Sequence, residues 1–357
     1  MNTAVRLVTQ TPPDQSAMAE AAAVLKHGGL VAFPTETVYG LGANALDAEA
    51  VRGVFSAKGR PSTDPLIVHL ADVDGLTRVA RDIPAVVRRL ADAFWPGPLT
   101  VIVPRHPDVP REVTAGYDTV AVRVPAHPVA HALLAAAGVP VAAPSANRFS
   151  RPSPTTAGHV YDELAGRIPL ILDGGPTPVG VESTIVDCTV TPPVVRRAGG
   201  VTIEALRAIV PDIVVRDTHG VDTEAQVAPG QLLRHYAPSS PMTLYIGPTE
   251  AVCARVAADA RTLAARGQRV GVLVPAEDAR ALAPAVAALA AQGRILVRAY
   301  GMRARPESMA AALFATMRSL DGERPDVVLA TDAGTSGIGA AIRDRLTRAA
   351  EGRVIRV

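Results

Sequence analysis

Residues 31–45, VAFPTETVYGLGANA, continue a short apolar run, Leu30-Val31-Ala32-Phe33, and then break into a proline, two threonines bracketing a glutamate, and spaced glycines. A buried strand that only had to pack would not carry three small polar side chains at its tip. The device returns in ILDGGPTPVGVESTIVD (171–187), where a strand and a glycine-rich turn lead polar residues into another strand. Further strand candidates at 66–70, 99–103, 119–124, 139–142, 170–172, 183–187 and 194–197 are interleaved with helical patterns. Those helices are placed at 19–27, 48–57, 84–94, 128–137 and 155–164. This interleaving predicts an α/β domain with polar strand tips.

Near residue 211 the texture changes. RDTHGVDTEAQVAPGQLLRHYAPSSP (216–241) is polar, rich in Gly and Pro, and without clear periodicity. That is too long for a structureless loop inside a compact domain, so it is expected to be a linker with a task of its own. Beyond it, apolar runs at 242–246, 270–274, 295–298 and 327–330 look like parallel strands. With alanine-rich helices such as 250–266 and 307–320, they predict a small doubly wound, Rossmann-like α/β domain. The expected division is 1–210, a linker at 211–241, and 242–357, in keeping with a 357-residue chain.

Composition removes several classes of function. The formal charge is +2, no basic run exceeds two residues, and aromatics make up 3%. A concentrated basic face or a set of base-stacking platforms is therefore not expected. Cys188 and Cys253 form no CxxC pair, which excludes a zinc ribbon and fits a reducing compartment. The start MNTAVRLVTQTPPDQ has no apolar core for a signal peptide, and no 18-residue apolar stretch occurs. The chain is read as soluble and cytoplasmic, with no membrane partner.

Several segments carry chemistry-bearing residues. In AKGRPSTDPLIVHL (57–70), Lys58 and Arg60 flank Gly59 in a turn opened further by Pro61. Two cations projecting from a sheet edge would suit a phosphate chain, although two solvated loop charges would look the same. Of 36 basic residues only Lys26 and Lys58 are lysine, which hints at a place for a compact ammonium. His69, taken alone, reads as a satisfied core histidine, and FWPGPLTVIV (94–103) as a rigid corner. Arg123 lies in an otherwise apolar strand, where a guanidinium is costly unless an anion meets it. A structural ion pair and a ligand carboxylate both fit. VAAPSANRFSRPSPTT (141–156) offers small hydroxyls that suit a nucleotide or simply a turn, and VVRRAGG (194–200) sets Arg196 and Arg197 at a strand end. Walker A and GxSxG are both absent. The glycines of GTSGIGAAIRDRL (334–346) follow the last strand and are read as helix packing.

Together FPTETVYGLGANA, KGRPSTDPLIVH, FWPGPLT, VAVRVPAHP, AAPSAN, RPSPT, ILDGG, GVESTIVD and APGQLLRHYAP resemble the YrdC/Sua5 family, the threonylcarbamoyl-AMP synthases. The trailing GIGAAIRDRLTRAA is similar to the C-terminal domain of the two-domain Sua5 branch. The resemblance implies a YrdC-like twisted α/β sheet domain followed by the smaller Rossmann-like domain, with the linker as a lid over the active site. It implies a reaction of L-threonine, bicarbonate or CO2, and ATP to give threonylcarbamoyl-adenylate and pyrophosphate. Separate tRNA threonylcarbamoyl-transfer machinery would then act downstream on adenosine 37 of tRNA.

Carried over residue by residue, the resemblance sets threonine against Thr37, His69, Arg123, the backbone at Ala143, and Ser183. It sets ATP against Lys58, Arg60, Asp64, Thr119, Ser145, Ser153, Arg197 and Tyr236, with Asn147 on the same wall. Lys58 and Arg60 would be the catalytic pair. Mg²⁺ would ride on the triphosphate, since no carboxylate cluster offers itself. Two positions depart from the family pattern: Asp64 stands where Asn is frequent, and RAG (197–199) replaces RPG. A carboxylate beside a triphosphate needs Mg²⁺ or a nearby cation. Hydrogenase-maturation carbamoyltransferases contain a similar module but carry zinc-finger cysteines that this chain lacks. A double-stranded RNA-binding role would need a concave basic surface, against which the near-neutral charge argues; a weak or transient tRNA contact remains an expectation.

Overall fold

The computed structural model describes residues 2–215 and 235–357. Among them, 2–149 with 153–215 form one compact unit, and 150–152 with 235–357 form a second. Of the predicted linker at 211–241, residues 216–234 lie outside the described residues.

The first unit opens with β1 (Ala4–Leu7), α1 (Gln15–Lys26), β2 (Val31–Pro34), β3 (Tyr39–Asn44), α2 (Ala48–Lys58) and β4 (Ile67–His69). It continues through α3 (Ala85–Phe94), β5 (Leu99–Pro104), β6 (Thr119–Arg123), α4 (Pro128–Ala137), β7 (Val141–Ala142) and α5 (Ala157–Leu164). It ends with β8 (Leu170–Asp173), β9 (Thr184–Asp187), β10 (Val194–Arg197), α6 (Ile203–Ile209) and β11 (Val214–Val215). These strands form one mixed sheet in the order β1-β8-β2-β3-β7-β4-β6-β5-β9-β10-β11. The predicted α/β class is observed.

Strands β1 and β11 and helix α6 are not among the expected elements, and β3 and α1 differ from expectation for local reasons. The GLG stretch looked like a turn, yet it is strand β3, paired antiparallel with β2. A Cβ on Gly42 would stand 2.8 Å from both the Phe33 ring and Val141, so the glycine is there for close approach across the sheet. Helix α1 starts earlier than its apolar pattern because Asp14 caps it, its carboxylate accepting from the N–H groups of Ser16 and Ala17.

Side chains alternate across the sheet, and this alternation places the site. Val68, Val122, Val101 and Val186 face the large core shared with α2, α3, α5 and α6. Their neighbours on the opposite face, Ile67, Ala121, Ile102 and Ile185, form a separate small apolar cluster. Helices α1 and α4 pack against this second face at β2, while α1 also meets β8. Where the face crosses β4, β6 and β5, the residues two positions along are His69, Arg123, Thr119 and Thr100. Polar groups therefore share a sheet face with a thin apolar floor.

The second unit contains β12 (Met242–Ile246), α7 (Thr249–Ala265), β13 (Val270–Val274), α8 (Ala276–Ala291) and β14 (Ile295–Ala299). It ends with α9 (Pro306–Gly322), β15 (Val327–Thr331), α10 (Gly339–Ala349) and β16 (Val354–Arg356). Its sheet is parallel throughout, ordered β14-β13-β15-β12-β16. The first two crossovers run one way across the sheet and the last two run back. Right-handed connections then set α7 and α8 on one face and α9 and α10 on the other, matching the α7–α8 and α9–α10 packing. This is the doubly wound arrangement expected.

Gly199 and Gly59 give the fold a test. A Cβ at Gly199 would lie 2.3 Å from the Glu182 carbonyl oxygen and 2.4 Å from backbone atoms of Ser183 and Thr184. Gly59 ends α2 in the left-handed region at φ 65 with no atom near its missing Cβ. Gly199→Ala is expected to cost about 3 kcal/mol or more in urea denaturation, and Gly59→Ala only about 1 kcal/mol. Equal midpoints for the two variants would contradict the close approach.

Candidate active site

The turn after β2 is built by its own hydroxyls. Thr35 Oγ1 donates to the Val38 carbonyl at 2.6 Å, accepts from the N–H groups of Thr37 and Val38, and meets Thr37 Oγ1 at 2.8 Å. This ST-turn aims Thr37, fully buried, across the sheet toward β6. There Arg123 Nη1 donates to Thr37 Oγ1 at 2.9 Å, and its Nε donates to the Gly97 carbonyl at 3.2 Å. Its Nη2 lies 2.7 Å from Glu36 Oε1. Of the two readings open for Arg123, the structure displays the ion pair, with Glu36, a residue to which the sequence reading gave no role. Gly97 belongs to the corner read as architectural; its carbonyl is part of what holds the guanidinium.

His69 is paired in register with Arg123 on the neighbouring strand. Its Nδ1 lies 3.2 Å from the Ile67 carbonyl oxygen, and the ring also meets the Val141 backbone. The ring meets Phe33 edge-on at 6.3 Å. Burial, and then the adjacent Arg123 charge, push its pKa down to about 3. His69 is thus a neutral imidazole at ordinary pH.

On the next strands, Thr100 Oγ1 and Ser183 Oγ are 2.8 Å apart. Arg197 donates from Nη2 to the Ser183 carbonyl at 3.0 Å and toward its hydroxyl at 3.3 Å. The backbone joins this group to the Thr37 turn, since Val179 and Gly180 donate to the carbonyls of Glu36 and Thr37. Ala143 is buried, and its N–H donates to the Ile67 carbonyl beside His69. The structure therefore brings Thr37, His69, Arg123, Ala143 and Ser183 into one connected, buried neighbourhood.

The phosphate candidates sit differently from the sequence picture. Lys58 and Arg60 do not project from a sheet edge; they are 2% and 8% exposed. The Lys58 ammonium donates to the carbonyls of Ser145, at 2.5 Å, and Asn147. Arg60 pairs with the Asp64 carboxylate at 2.9 Å and donates to the carbonyls of Asp64 and Pro65. A buried cation without acceptors is costly, so each folds onto its own chain. The awkward Asp64 charge is answered by the same pair. Ser153 donates to Glu182 at 2.5 Å, Thr119 is half-buried at the start of β6, and Ser145 bridges to Gly40. Tyr236 belongs to the second unit, where its ring packs on Phe314 at 5.4 Å and under the Arg345 guanidinium at 5.3 Å.

Comparison with known proteins adds a second line of observation. Residues 23–199 match the Sua5_yciO_yrdC family, described as telomere recombination, and residues 201–351 match the threonylcarbamoyl-AMP synthase C-terminal domain. The threonylcarbamoyl-AMP synthase of Bacillus subtilis (strain 168) is 44% identical over 95% of this chain and 94% of its own length. The chain belongs to the Sua5 family. The Pyrococcus abyssi threonylcarbamoyl-AMP synthase is 41% identical over 94% of this chain and 95% of its own. Among solved structures, P. abyssi Sua5 complexed with L-threonine superposes with a TM-score of 0.91 at 39% identity. That match covers 99% of this chain and all of the other. Both units of the chain thus have the Sua5-family fold.

The neutral His69 has a measurable consequence. An unfolded chain protonates this histidine below about pH 6.5 and the folded one does not until about 3, so stability falls as pH drops through that window. His127, also lowered by burial, acts in the same direction. Between pH ~6.5 and ~5 the His69 contribution is about 2 kcal/mol. Urea denaturation at pH ~7 and ~5 should show the native chain losing about that much more stability than His69→Gln. Parallel losses would mean that His69 is charged in the fold.

Proposed function

We propose that this chain is an L-threonylcarbamoyladenylate synthase, joining L-threonine, bicarbonate or CO2, and ATP with release of pyrophosphate, as the first step toward N6-threonylcarbamoyladenosine in tRNA. The observation that carries the reading is the buried Arg123 guanidinium, held between Thr37 and the Gly97 carbonyl beside the neutral His69. A chain similar along its full length to a Sua5 crystallised with L-threonine supports it.

In this reading Arg123 holds the amino acid's carboxylate through charge-assisted hydrogen bonds. Thr37, Ser183 and His69 are neutral groups that can donate to or accept from the β-hydroxyl, and such a site rejects analogues that lack one. Ala143 supplies backbone. The ammonium first releases a proton to solvent, and the free amine adds to CO2 and loses a second proton to give a carbamate, whose oxygen attacks the α-phosphate as pyrophosphate leaves. No side chain need act as nucleophile. Lys58, Arg60 and Arg197 are the cations assigned to the phosphates; Thr119, Ser145, Asn147 and Ser153 line the nucleotide wall, with Asp64 as the carboxylate that orients Arg60. Such catalysis is positioning and charge neutralisation.

Mg²⁺ is assigned to the triphosphate. Among the described residues no group of three or more His, Cys, Asp or Glu side chains is placed to hold a metal ion, and no step is routed through a protein-bound one. The lid role of the 211–241 linker and the contribution of Tyr236 to ATP remain part of the proposal. With a formal charge of +2, contact with tRNA would be at most transient, and the product would pass to separate transfer machinery. Among the described residues no helix is long and apolar enough to cross a membrane; a cytoplasmic setting is proposed.

With ATP, Mg²⁺, bicarbonate and one amino acid at a time, pyrophosphate release should require both threonine and bicarbonate. Arg123→Gln should raise the KM for threonine by roughly 100-fold while changing the KM for ATP little. Pyrophosphate release indifferent to threonine would rule the reading out.

A further inference from the structure

The Arg123–Glu36 pair poses a problem of charge. Glu36 is 8% exposed and its carboxylate approaches Arg123 Nη2 to 2.7 Å, yet neither oxygen receives a well-directed hydrogen bond. A carboxylate buried with one contact and no aligned donor has unused acceptor capacity. Among the described residues, the imidazole of His127 also feels the charge of Glu36, yet it adds no positive charge. Its Nδ1 accepts from the Val129 N–H, leaving the proton on Nε2, and burial lowers its pKa against the pull of Glu36. Among the described residues, then, Arg123 is the cation that neutralises Glu36.

The synthase reading asks Arg123 to receive the substrate's carboxylate. Two carboxylates on one buried guanidinium would leave a net negative charge away from water, which is strongly unfavourable. A zwitterionic amino acid removes the conflict by bringing a cation of its own. We infer that Glu36 is the counter-ion of the substrate's ammonium group, and that it makes the site select an α-amino acid over the corresponding α-hydroxy acid.

In the fold Glu36 stands on Arg123, the group to which the synthase reading assigns the substrate's carboxylate. On binding, the carboxylate takes Arg123 and the ammonium takes Glu36, so that two opposite pairs replace one and the net charge remains zero. An α-hydroxy acid would take Arg123 and leave Glu36 buried without a counter-ion. The selection thus rests on a penalty against the wrong ligand as much as on attraction for the right one. This inference rests on the synthase reading and assigns a task to the one acidic residue of the TET turn.

The test uses the full chain and two ligands, L-threonine and 2,3-dihydroxybutanoate, which replaces the amine by a hydroxyl. Calorimetric titration of the native chain should show threonine binding tighter by roughly 100-fold. In Glu36→Gln, threonine should weaken by a similar factor while dihydroxybutanoate binds as well as before or better, because Arg123 is released. Opposite responses to one substitution are not produced by a merely structural residue. Equal loss for both ligands, or loss for neither, overturns the inference. So does a native chain that binds the two alike, a comparison that stands even should Glu36→Gln fail to fold. A native chain that binds dihydroxybutanoate but gains nothing from threonine's amine sinks only the role of Glu36. One that binds neither ligand overturns the synthase reading itself.

Discussion

A guanidinium buried in the middle of a sheet must be met by something. Arg123, 3% exposed, sits in a strand whose neighbours are Val and Ala, and an unpaired charge there would cost several kcal/mol. The chain meets it with three groups from two separate segments: the Thr37 hydroxyl and Glu36 carboxylate of the turn after β2, and the Gly97 carbonyl before β5. Each segment is placed by the sheet, and the sheet's alternation puts Arg123, His69 and Thr100 on one face. The geometry of the candidate site follows from the need to accommodate this one charge.

The same economy governs the other ionic groups of the first unit. Arg60 turns to Asp64, and Lys58 to two carbonyls of the segment after β7. These arrangements fix the positions of both cations within the fold. They also explain why an acidic residue at 64 is tolerable. Its charge is already balanced within the turn that carries it.

Much of the fold was legible in the chain. Apolar periodicity located β5, β6, β9, β10 and most of α2 to α5, because these elements bury one face and expose or share the other. Strand β3 was not legible, since its glycines serve contacts with Phe33 and Val141 that exist only after folding. Lys58 and Arg60 could be seen as neighbours in a turn. Their divergence could not, because Lys58 turns to carbonyls of the distant segment after β7 while Arg60 turns to the loop that follows it.

By itself the sequence determined the α/β class, the break in texture after 211, the motif set that marks the Sua5 family, and the residue types available to grip phosphate and carboxylate. These are local properties, carried by pattern and spacing. Only the tertiary structure decided that Glu36 answers Arg123, that Thr100 meets Ser183, and that His69 is neutral. Those outcomes depend on burial and on partners brought together across the sheet from distant segments. Charge state and pairing are properties of a three-dimensional environment, and a linear pattern does not contain them.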